Sequence, residues 1–483
     1  MEERQSVREA LPDTGQSPRE SARAASGRKL GEPARTSWLS ARRVQLGLVL
    51  LISIYGLVMS YRAGQDPKDD FRGWFRAAER WQAGETLYFH QEAATSEMPN
   101  KHGLPFVVLF APLTGLGIAW AARLWILVSV LLLLHGLHLL SRILALVDPL
   151  PPPVWVLRFG PWLGLLLIAP FLHNLILYRQ TGIFLLWWMI LGIYCLARNR
   201  DFLAGLILAV PAAIKLLPLV FLPWLVFKRR MRAAAGFMTG FLLAFALPFA
   251  FEDAERTARH LNDYAQMLLR DEARDNQYPG AQSLRPLVLA TITPHYEPGP
   301  LVTEDYKQEL IQRWDGRRNY LASEGLFRFQ EWILLLSSAV FVALCALWIS
   351  SGYGENADPR PPPLVLLGES GLVLATMLFI SPLAWKHYYV WLLPAAVFVI
   401  AAAIGGWARH RFRAWIALSV FVLFLTLPHK GLLRLFSSEL AEGYGVFHGY
   451  ASALGLFCLL LGWALRAETR AAKDAEDTDW LFG

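Results

Sequence analysis

Residues 121–146 read AARLWILVSVLLLLHGLHLLSRILAL, a long apolar run with only two arginines and two histidines in it. A helix of about 20 such residues spans the hydrocarbon core of a bilayer. Eleven further apolar runs, several of them shorter, lie at 44–61, 154–172, 181–197, 202–213, 216–227, 233–250, 331–350, 363–380, 388–405, 414–429 and 446–466. The sequence therefore predicts an all-α polytopic membrane protein with about twelve transmembrane helices.

The composition agrees with this prediction. Of 483 residues, 55% are apolar and only 18% are charged, and the mean hydropathy is +0.34. A soluble domain has a charged fraction nearer one quarter. These values exclude a soluble enzyme, a disordered chain and a nucleic-acid-binding protein. The three cysteines are too far apart in sequence to form a redox or metal-binding motif.

The basic residues predict the orientation. Short cytoplasmic loops of membrane proteins are enriched in Lys and Arg. The basic segments are Arg42–Arg43, Arg198–Arg200, Lys228–Arg232, Arg409–Arg413 and the C-terminal tail. Twelve crossings place all of them in the cytoplasm, provided that Pro105–Gly117 is a re-entrant or interfacial helix and that 202–227 forms two short crossings meeting near Lys215. The predicted organisation is a disordered cytoplasmic tail (1–43), a transmembrane domain (44–466) and a second cytoplasmic tail (467–483).

Two long loops, 62–103 and 252–329, then lie outside the cell and are expected to contain interfacial helices. Loops of this length in compact proteins are often functional. In the first, Asp69 and Asp70 precede a helical pattern with Trp74, Ala77, Ala78 and Trp81 at spacings of three and four. A carboxylate partly desolvated there could accept a proton from a sugar hydroxyl. The alternative is that one of the two only caps the helix.

Two further segments carry charge next to hydrocarbon. Lys215 lies between two apolar runs and is followed by Pro218, which predicts a broken helix whose cation meets a phosphate. The alternative is a lysine that snorkels to the interface. The segment Ser381–Tyr389 begins a span with Trp385, Lys386 and His387, which could bind a sugar and a phosphate; here the alternative is an ordinary aromatic belt.

The order of these segments resembles glycosyltransferase family 87. The elements that carry the resemblance are Asp70-Phe71, an aromatic-x-Ala-Ala helix, Gln180 at the head of a span, Ala-Ala-x-Lys-x-x-Pro around Lys215, Gln282-Ser283-Leu284 and Ser-Pro-x-x-Trp-x-His from Ser381 to His387. The resemblance covers about residues 44 to 400. It implies a C-type glycosyltransferase fold and a reaction like that of polyprenyl-phosphate-mannose-dependent α-1,2-mannosyltransferases.

The resemblance also implies residue roles. Asp70 is expected to be the catalytic base, and Lys215, Lys386 and His387 are expected to bind the donor phosphate. The remaining residues expected at the substrate are Gln180, Gln282, Ser283, Trp385 and Tyr388. Asp69, next to Asp70 in sequence, is a further candidate at the substrate and the competitor for the role of base. The sequence departs from the family pattern at Arg179, Gly182, Ala281 and Tyr388, which replace Gly, Asn, Asn and His.

The implied reaction is an inverting transfer on the outer face of the plasma membrane. A polyprenyl-phosphate sugar, with mannose expected, is the donor, and a glycolipid or glycan hydroxyl is the acceptor. No cofactor and no metal site are evident, although a divalent metal stays an alternative. Membrane lipids are the other expected partners, and nucleic acid is not one. Two other classes stay open at this point: a polytopic transporter and a non-catalytic polysaccharide-assembly protein.

Overall fold

The structure is a computed structural model, which describes residues 33–67, 69–88, 100–146, 153–268, 282–285, 287–288, 326–350, 361–381, 384–405, 411–428 and 449–479. Parts of the predicted tails and of the loops 62–103 and 252–329 lie outside these residues. The chain divides into two compact units, Met1–Leu51 and Ile52–Gly483, and every candidate site residue belongs to the second.

Helices form the regular secondary structure of the described residues. The α-helices are α1 (Pro33–Gln65), α2 (Asp69–Ala83), α3 (Leu104–Phe110), α4 (Ile118–Leu144), α5 (Val154–Leu177), α6 (Gly182–Ala197), α7 (Asp201–Ile214), α8 (Phe221–Phe227), α9 (Met231–Ala246), α10 (Ala254–Met267), α11 (Leu326–Ser350), α12 (Pro363–Ile380), α13 (Leu393–Gly405), α14 (Arg411–Val420) and α15 (Gly449–Asp479). The all-α prediction is confirmed for this part of the chain.

Eight helical segments in the described ranges are long and apolar enough to cross a membrane: Ala41–Gln65, Ile118–Leu144, Val154–Leu177, Met231–Ala250, Trp332–Ile349, Pro363–Ile380, Lys386–Gly405 and Gly449–Ala467. The other predicted spans coincide with shorter helices, such as α6, α7 and α8. A helix of 16 residues such as α6 is about 24 Å long, less than the roughly 30 Å of a bilayer core. The number of twelve crossings therefore stays a prediction.

Both predicted tails are partly helical. Residues 33–43, assigned to the disordered tail from their composition, form the first turns of α1, and α15 continues past residue 466 to Asp479. Residues 33–43 are thus helical rather than irregular, whereas the division into tails and a transmembrane domain stays a prediction. Once a span has nucleated a helix, each further residue adds one hydrogen bond at little cost, so alanine- and arginine-rich flanks can extend it.

Two predicted interruptions of the helices are present. The Pro105–Gly117 region forms the short helix α3 followed by a 3₁₀-helix, Ala111–Leu116. After α7, Lys215 leaves the helix with extended backbone angles (φ −133°, ψ 126°), and a 3₁₀-helix with Pro218 in its first turn leads into α8. Proline removes a helical N–H and crowds the preceding turn, which explains why the break falls here.

Helix α7, which leads to Lys215, is held against α9 by glycines. A Cβ atom added to Gly205 would lie within 2.5 Å of the backbone N of Phe237 and closer still to the carbonyl oxygen of Ala233, and one added to Gly236 would overlap the carbonyl oxygen of Phe202. Small residues allow two membrane helices to approach closely and gain van der Waals contact. The two glycines therefore set the distance between α7 and α9.

We expect Gly205→Ala to destabilise the protein by about 1–3 kcal/mol, because the added methyl group forces two backbones apart. The measurement is thermal unfolding in detergent. Gly47→Ala is the matched control, since none of the described atoms lies within 4 Å of a Cβ added there; it should be neutral or stabilise the helix by about 0.5–1 kcal/mol. Equal unfolding temperatures for Gly205→Ala and the wild type would contradict this account of the packing.

Two ion pairs lie near the start of α7, whereas Lys215 follows the end of this helix. Lys228 Nζ lies 2.9 Å from Glu369 Oε1, and both side chains are buried. Arg230 Nη1 lies 3.4 Å from Asp201 Oδ1 and donates to the carbonyl oxygen of Leu196 at 3.2 Å. The ends of α6 and α8 and the start of α7 thus meet in one basic cluster, while the other ends of α6 and α7 lead to Gln180 and Lys215.

Candidate active site

Helix α2 positions Asp70. The residues that the spacing predicted to share its apolar face are buried or half-buried: Trp74, Ala77, Ala78 and Trp81. Trp74 packs edge-on against Phe106 of α3 and Trp125 of α4, with ring centroids 5.7 and 5.8 Å apart. Protein side chains therefore cover this face of α2, and the packing fixes Asp70 in the first turn of the helix.

The structure brings Asp70 and Gln180 together across 110 residues of sequence. Gln180 Nε2 donates a hydrogen bond of 2.5 Å to Asp70 Oδ2. Gln180 is buried, and its backbone N–H donates to the carbonyl oxygen of Leu175 at 3.0 Å, which closes the turn between α5 and α6. The amide therefore orients the carboxylate. Asp69 begins the helix, but its side chain lies outside the described residues.

Arg179, one of the departures from the family pattern, lies in this turn. Its φ is +52°, in the left-handed region, where an L-residue costs roughly 1–2 kcal/mol and glycine does not. Its buried guanidinium donates to the carbonyl oxygens of Leu177 at 2.7 Å and of Arg62 at 3.4 Å. These bonds offset the strain, so the turn that glycine would form easily is formed here with arginine.

Lys215 meets the aromatic segment that follows α12. Lys215 Nζ donates to Tyr388 Oη at 2.5 Å and lies 4.3 Å from the centre of the Tyr388 ring. The lysine is half-buried and belongs to no helix. A cation held at an aromatic ring while retaining donor capacity is suited to an anionic ligand. The tyrosine that replaces the family's second histidine thus contacts the predicted phosphate-binding lysine.

The rings of Trp385, His387, Tyr388 and Trp391 pack against one another in a cluster around Tyr388. His387 lies 4.5 Å from Tyr388 in a perpendicular arrangement and 6.3 Å from Trp385 in a stacked one. Trp391 stacks on Tyr388 at 5.4 Å and donates to the carbonyl oxygen of Gly182 at 2.9 Å. The predicted residues Trp385, His387 and Tyr388 are therefore neighbours, and Trp391 ties them to the first residue of α6.

Lys386 has different neighbours from Lys215. Its Nζ lies 4.7 Å from the centre of the Tyr450 ring at the start of α15. Lys215, by contrast, lies at the ring of Tyr388. Of the two lysines predicted to bind the phosphate, Lys215 is thus the one that contacts the aromatic cluster of His387 and Tyr388.

Gln282 and Ser283 join this segment through the backbone. The N–H of Gln282 donates to the carbonyl oxygen of Ala384 at 2.6 Å, and Tyr389 Oη donates to the carbonyl oxygen of Gln282 at 2.8 Å. Both Gln282 and Ser283 are fully buried. This short part of the loop 252–329 therefore supports the 384–389 segment, which the sequence alone did not indicate.

The sequence motifs did not indicate His102, which lies between the turn that carries Gln180 and the segment that carries Lys215. His102 Nε2 lies 3.1 Å from Thr181 Oγ1, next to Gln180. The following residue, Gly103, donates its N–H to the carbonyl oxygen of Ile214 at 3.0 Å, next to Lys215. A Cβ on Gly103 would lie 2.4 Å from the carbonyl oxygen of Ala213. The Gly-Leu-Pro sequence at 103–105 was the available signal, because only glycine permits this approach.

In the described part of the chain, no three His, Cys, Asp or Glu side chains converge in a way that could hold a metal ion. The independence from metal therefore stays a prediction.

Residues 102–382 match the sequence model of glycosyltransferase family 87. The chain belongs to this family. The matched part contains Gln180, Lys215, Gln282 and Ser283, whereas Asp70 precedes it and Trp385 to Tyr388 follow it. Because the chain belongs to family 87, it is a glycosyltransferase. This excludes the two alternatives left open above, a transporter and a non-catalytic polysaccharide-assembly protein.

Two characterised relatives are similar over most of their length. A polyprenol-phosphate-mannose-dependent alpha-(1-2)-phosphatidylinositol mannoside mannosyltransferase of Mycobacterium tuberculosis is 25% identical over 394 residues, covering 76% of this chain and 78% of the relative. The protein with the same name from Mycolicibacterium smegmatis is 24% identical over 428 residues, covering 83% and 84%.

Among solved structures, the family 87 chain is similar to ArnT from Cupriavidus metallidurans bound to undecaprenyl phosphate. The alignment covers 89% of this chain and 78% of ArnT, at 14% sequence identity and a TM-score of 0.40. This likeness is too low to assign a fold, so the C-type fold implied by the resemblance stays a prediction.

Proposed function

We propose that this chain is an inverting mannosyltransferase that moves mannose from a polyprenyl phosphate to the hydroxyl of a glycolipid or glycan-linked acceptor. The observation that carries the proposal is the pairing of Asp70 with Gln180 and of Lys215 with Tyr388, four residues from separate segments. The names of the two mycobacterial relatives support mannose as the sugar and polyprenol phosphate as its carrier. The proposal needs no cofactor.

The chemistry of these pairs suits such a transfer. Asp70 takes the proton of the acceptor hydroxyl, whose oxygen attacks the anomeric carbon of the donor. The bond from that carbon to the phosphate oxygen breaks, and its electron pair leaves with the polyprenyl phosphate. Lys215 stabilises the charge that develops on this phosphate. Attack opposite to the leaving group converts a β-linked donor into an α-linked product.

The arrangement of charge supports a site on the outer face. The ends of α6 and α8 and the start of α7 carry the cluster of Arg230, Lys228 and their partners, which the positive-inside rule assigns to the cytoplasm. Gln180 and Lys215 lie at the opposite ends of α6 and α7. In this orientation both termini are cytoplasmic and the protein is a multi-pass plasma-membrane enzyme.

A transfer assay tests the proposal. Membranes that contain the protein are incubated with radiolabelled polyprenyl-phosphate-mannose and a lipid extract, and the lipid and glycan fractions are analysed for new label. We expect label in a product whose mannose is α-linked, released by α-mannosidase and not by β-mannosidase. Matched membranes without the protein are the control. Absence of any protein-dependent product would contradict the proposal.

A further inference from the structure

His102 has a fixed backbone position. Its N–H donates to Asn100 Oδ1 at 3.1 Å, and its carbonyl oxygen accepts from Tyr88 Oη at 2.9 Å and from Asn100 Nδ2 at 3.2 Å. The residue is 3% exposed. Both backbone groups of His102 are therefore hydrogen-bonded, which holds its main chain in place.

The ring of His102 contacts both elements that carry the Asp70–Gln180 pair. Its Nε2 lies 3.1 Å from Oγ1 of the fully buried Thr181, the residue after Gln180. Its edge packs against Trp74, one turn after Asp70 in α2, with ring centroids 5.0 Å apart. The His102 side chain thus contacts both the turn that carries Gln180 and the helix that carries Asp70.

The imidazole is neutral at physiological pH. Burial, and then the nearby charge of Lys215, hold the pKa of His102 well below its usual range. A neutral imidazole has one N–H donor and one acceptor nitrogen. Nδ1 is buried and has no hydrogen-bond partner among the described residues, so the contact to Thr181 is the polar interaction that its ring makes there.

An apolar side chain at position 102 would not bury a polar atom such as Nδ1 without a partner. A buried polar atom without a hydrogen-bond partner destabilises a protein, and proteins tend to keep such unfavourable features at functional sites. The polar contact that the histidine gains is directed at Thr181, and Thr181 has its own side chain hidden from solvent. The arrangement therefore serves the position of the turn that carries Gln180.

We propose that His102 is a positioning residue of the transfer reaction, which holds Thr181, and with it the Gln180 amide, in hydrogen-bonding range of Asp70. The inference rests on the proposed function. A change at His102 should therefore affect kcat, which reports the chemical step. Donor binding is expected to depend on Lys215, whose segment is held by the backbone bond from Gly103 to Ile214, and this bond does not involve the His102 side chain.

Three substitutions separate the two ring nitrogens. In His102→Gln, the amide nitrogen reaches as far as Nε2 did, whereas in His102→Asn it reaches only as far as Nδ1 did. His102→Leu removes both. We expect His102→Gln to keep kcat close to the wild-type value. We expect His102→Asn and His102→Leu to lower kcat by up to about 10²-fold, because a small misplacement near the reacting groups slows the chemical step. KM for polyprenyl-phosphate-mannose should stay unchanged in all three.

Substitutions of Thr181 test the same contact from its other side. Thr181→Ser keeps the hydroxyl and should keep kcat, whereas Thr181→Val should lower it as much as His102→Leu does. The double variant should be no worse than either single variant, because both remove the same contact. His138→Leu, on the exposed face of α4, is the control for loss of a histidine and should not change kcat.

The results that overturn the inference are distinct from failure of the proposed function. An active wild type with unchanged kcat in His102→Leu would overturn the inference alone. A loss of kcat that follows the decrease in unfolding temperature in all three variants, with no advantage for His102→Gln, would also overturn the inference, because it would indicate a purely structural role. No transfer by the wild type would overturn the proposed function and this inference with it.

Discussion

Asp70→Asn is expected to lower the rate of sugar transfer by about 10²–10⁴-fold, the usual contribution of a general base. Asparagine has nearly the size of aspartate but does not accept a proton at neutral pH. Its carbonyl oxygen can still accept the hydrogen bond from Gln180 Nε2 that now ends on Asp70 Oδ2. The substitution therefore removes proton affinity and leaves the local geometry in place.

The measurement is the initial rate of transfer from polyprenyl-phosphate-mannose, with the unfolding temperature measured in parallel. Asp69→Asn is the matched control, one residue away at the start of the same helix. Acting only as a cap, Asp69 would contribute at most about 1–2 kcal/mol of stability and little to the rate. Loss of transfer in Asp69→Asn with an active Asp70→Asn would exchange the two roles. Full activity of both folded variants would refute a base in this loop.

Lys215→Gln is expected to reduce kcat/KM for the donor roughly 10–150-fold, because a hydrogen bond to a charged group contributes about 1.5–3 kcal/mol. Lys215→Arg keeps the positive charge and should lose less. The lysine contacts Tyr388 from a position outside any helix, so neither change disturbs helical hydrogen bonding.

Donor-concentration series for the two variants provide the measurement. Arg232→Gln is the control for the loss of a cation, since this arginine is exposed at the start of α9, far along the chain from Lys215 and outside the predicted site residues. Tyr388→Phe removes the hydroxyl that accepts from Lys215 and separates the effect of that contact from the effect of the charge. Donor kinetics of Lys215→Gln equal to those of the wild type would mean that Lys215 only snorkels to the interface.

The helical architecture could be predicted largely from local patterns. Each of the twelve apolar runs coincides with a helix, and the break at Lys215 follows from the prolines on either side of it. These features depend on neighbours in sequence, because backbone hydrogen bonds must be satisfied within a segment that enters a bilayer. The helical start of α1 at Pro33 was missed because composition does not indicate how far a helix extends beyond its span.

The contacts among the predicted site residues could not be predicted from the sequence, and their roles stay predictions. Asp70, Gln180, Lys215 and Tyr388 were identified from motifs, yet nothing in the motifs says which residue contacts which. His102 and Thr181 were missed because a histidine and a threonine beside apolar runs give no periodic signal. Their role depends on a contact between residues 79 positions apart.

The sequence by itself thus determined that this protein is a helical membrane protein of glycosyltransferase family 87, and that the helix before Lys215 breaks there. Only the tertiary structure decided that Gln180 meets Asp70, that Lys215 meets Tyr388 and that His102 lies between them. The physical reason is the range of the forces. The length of an apolar run and the position of a helix-breaking residue are properties of one segment. Close approaches such as that of Gly205 to α9 depend on the shapes of two segments together.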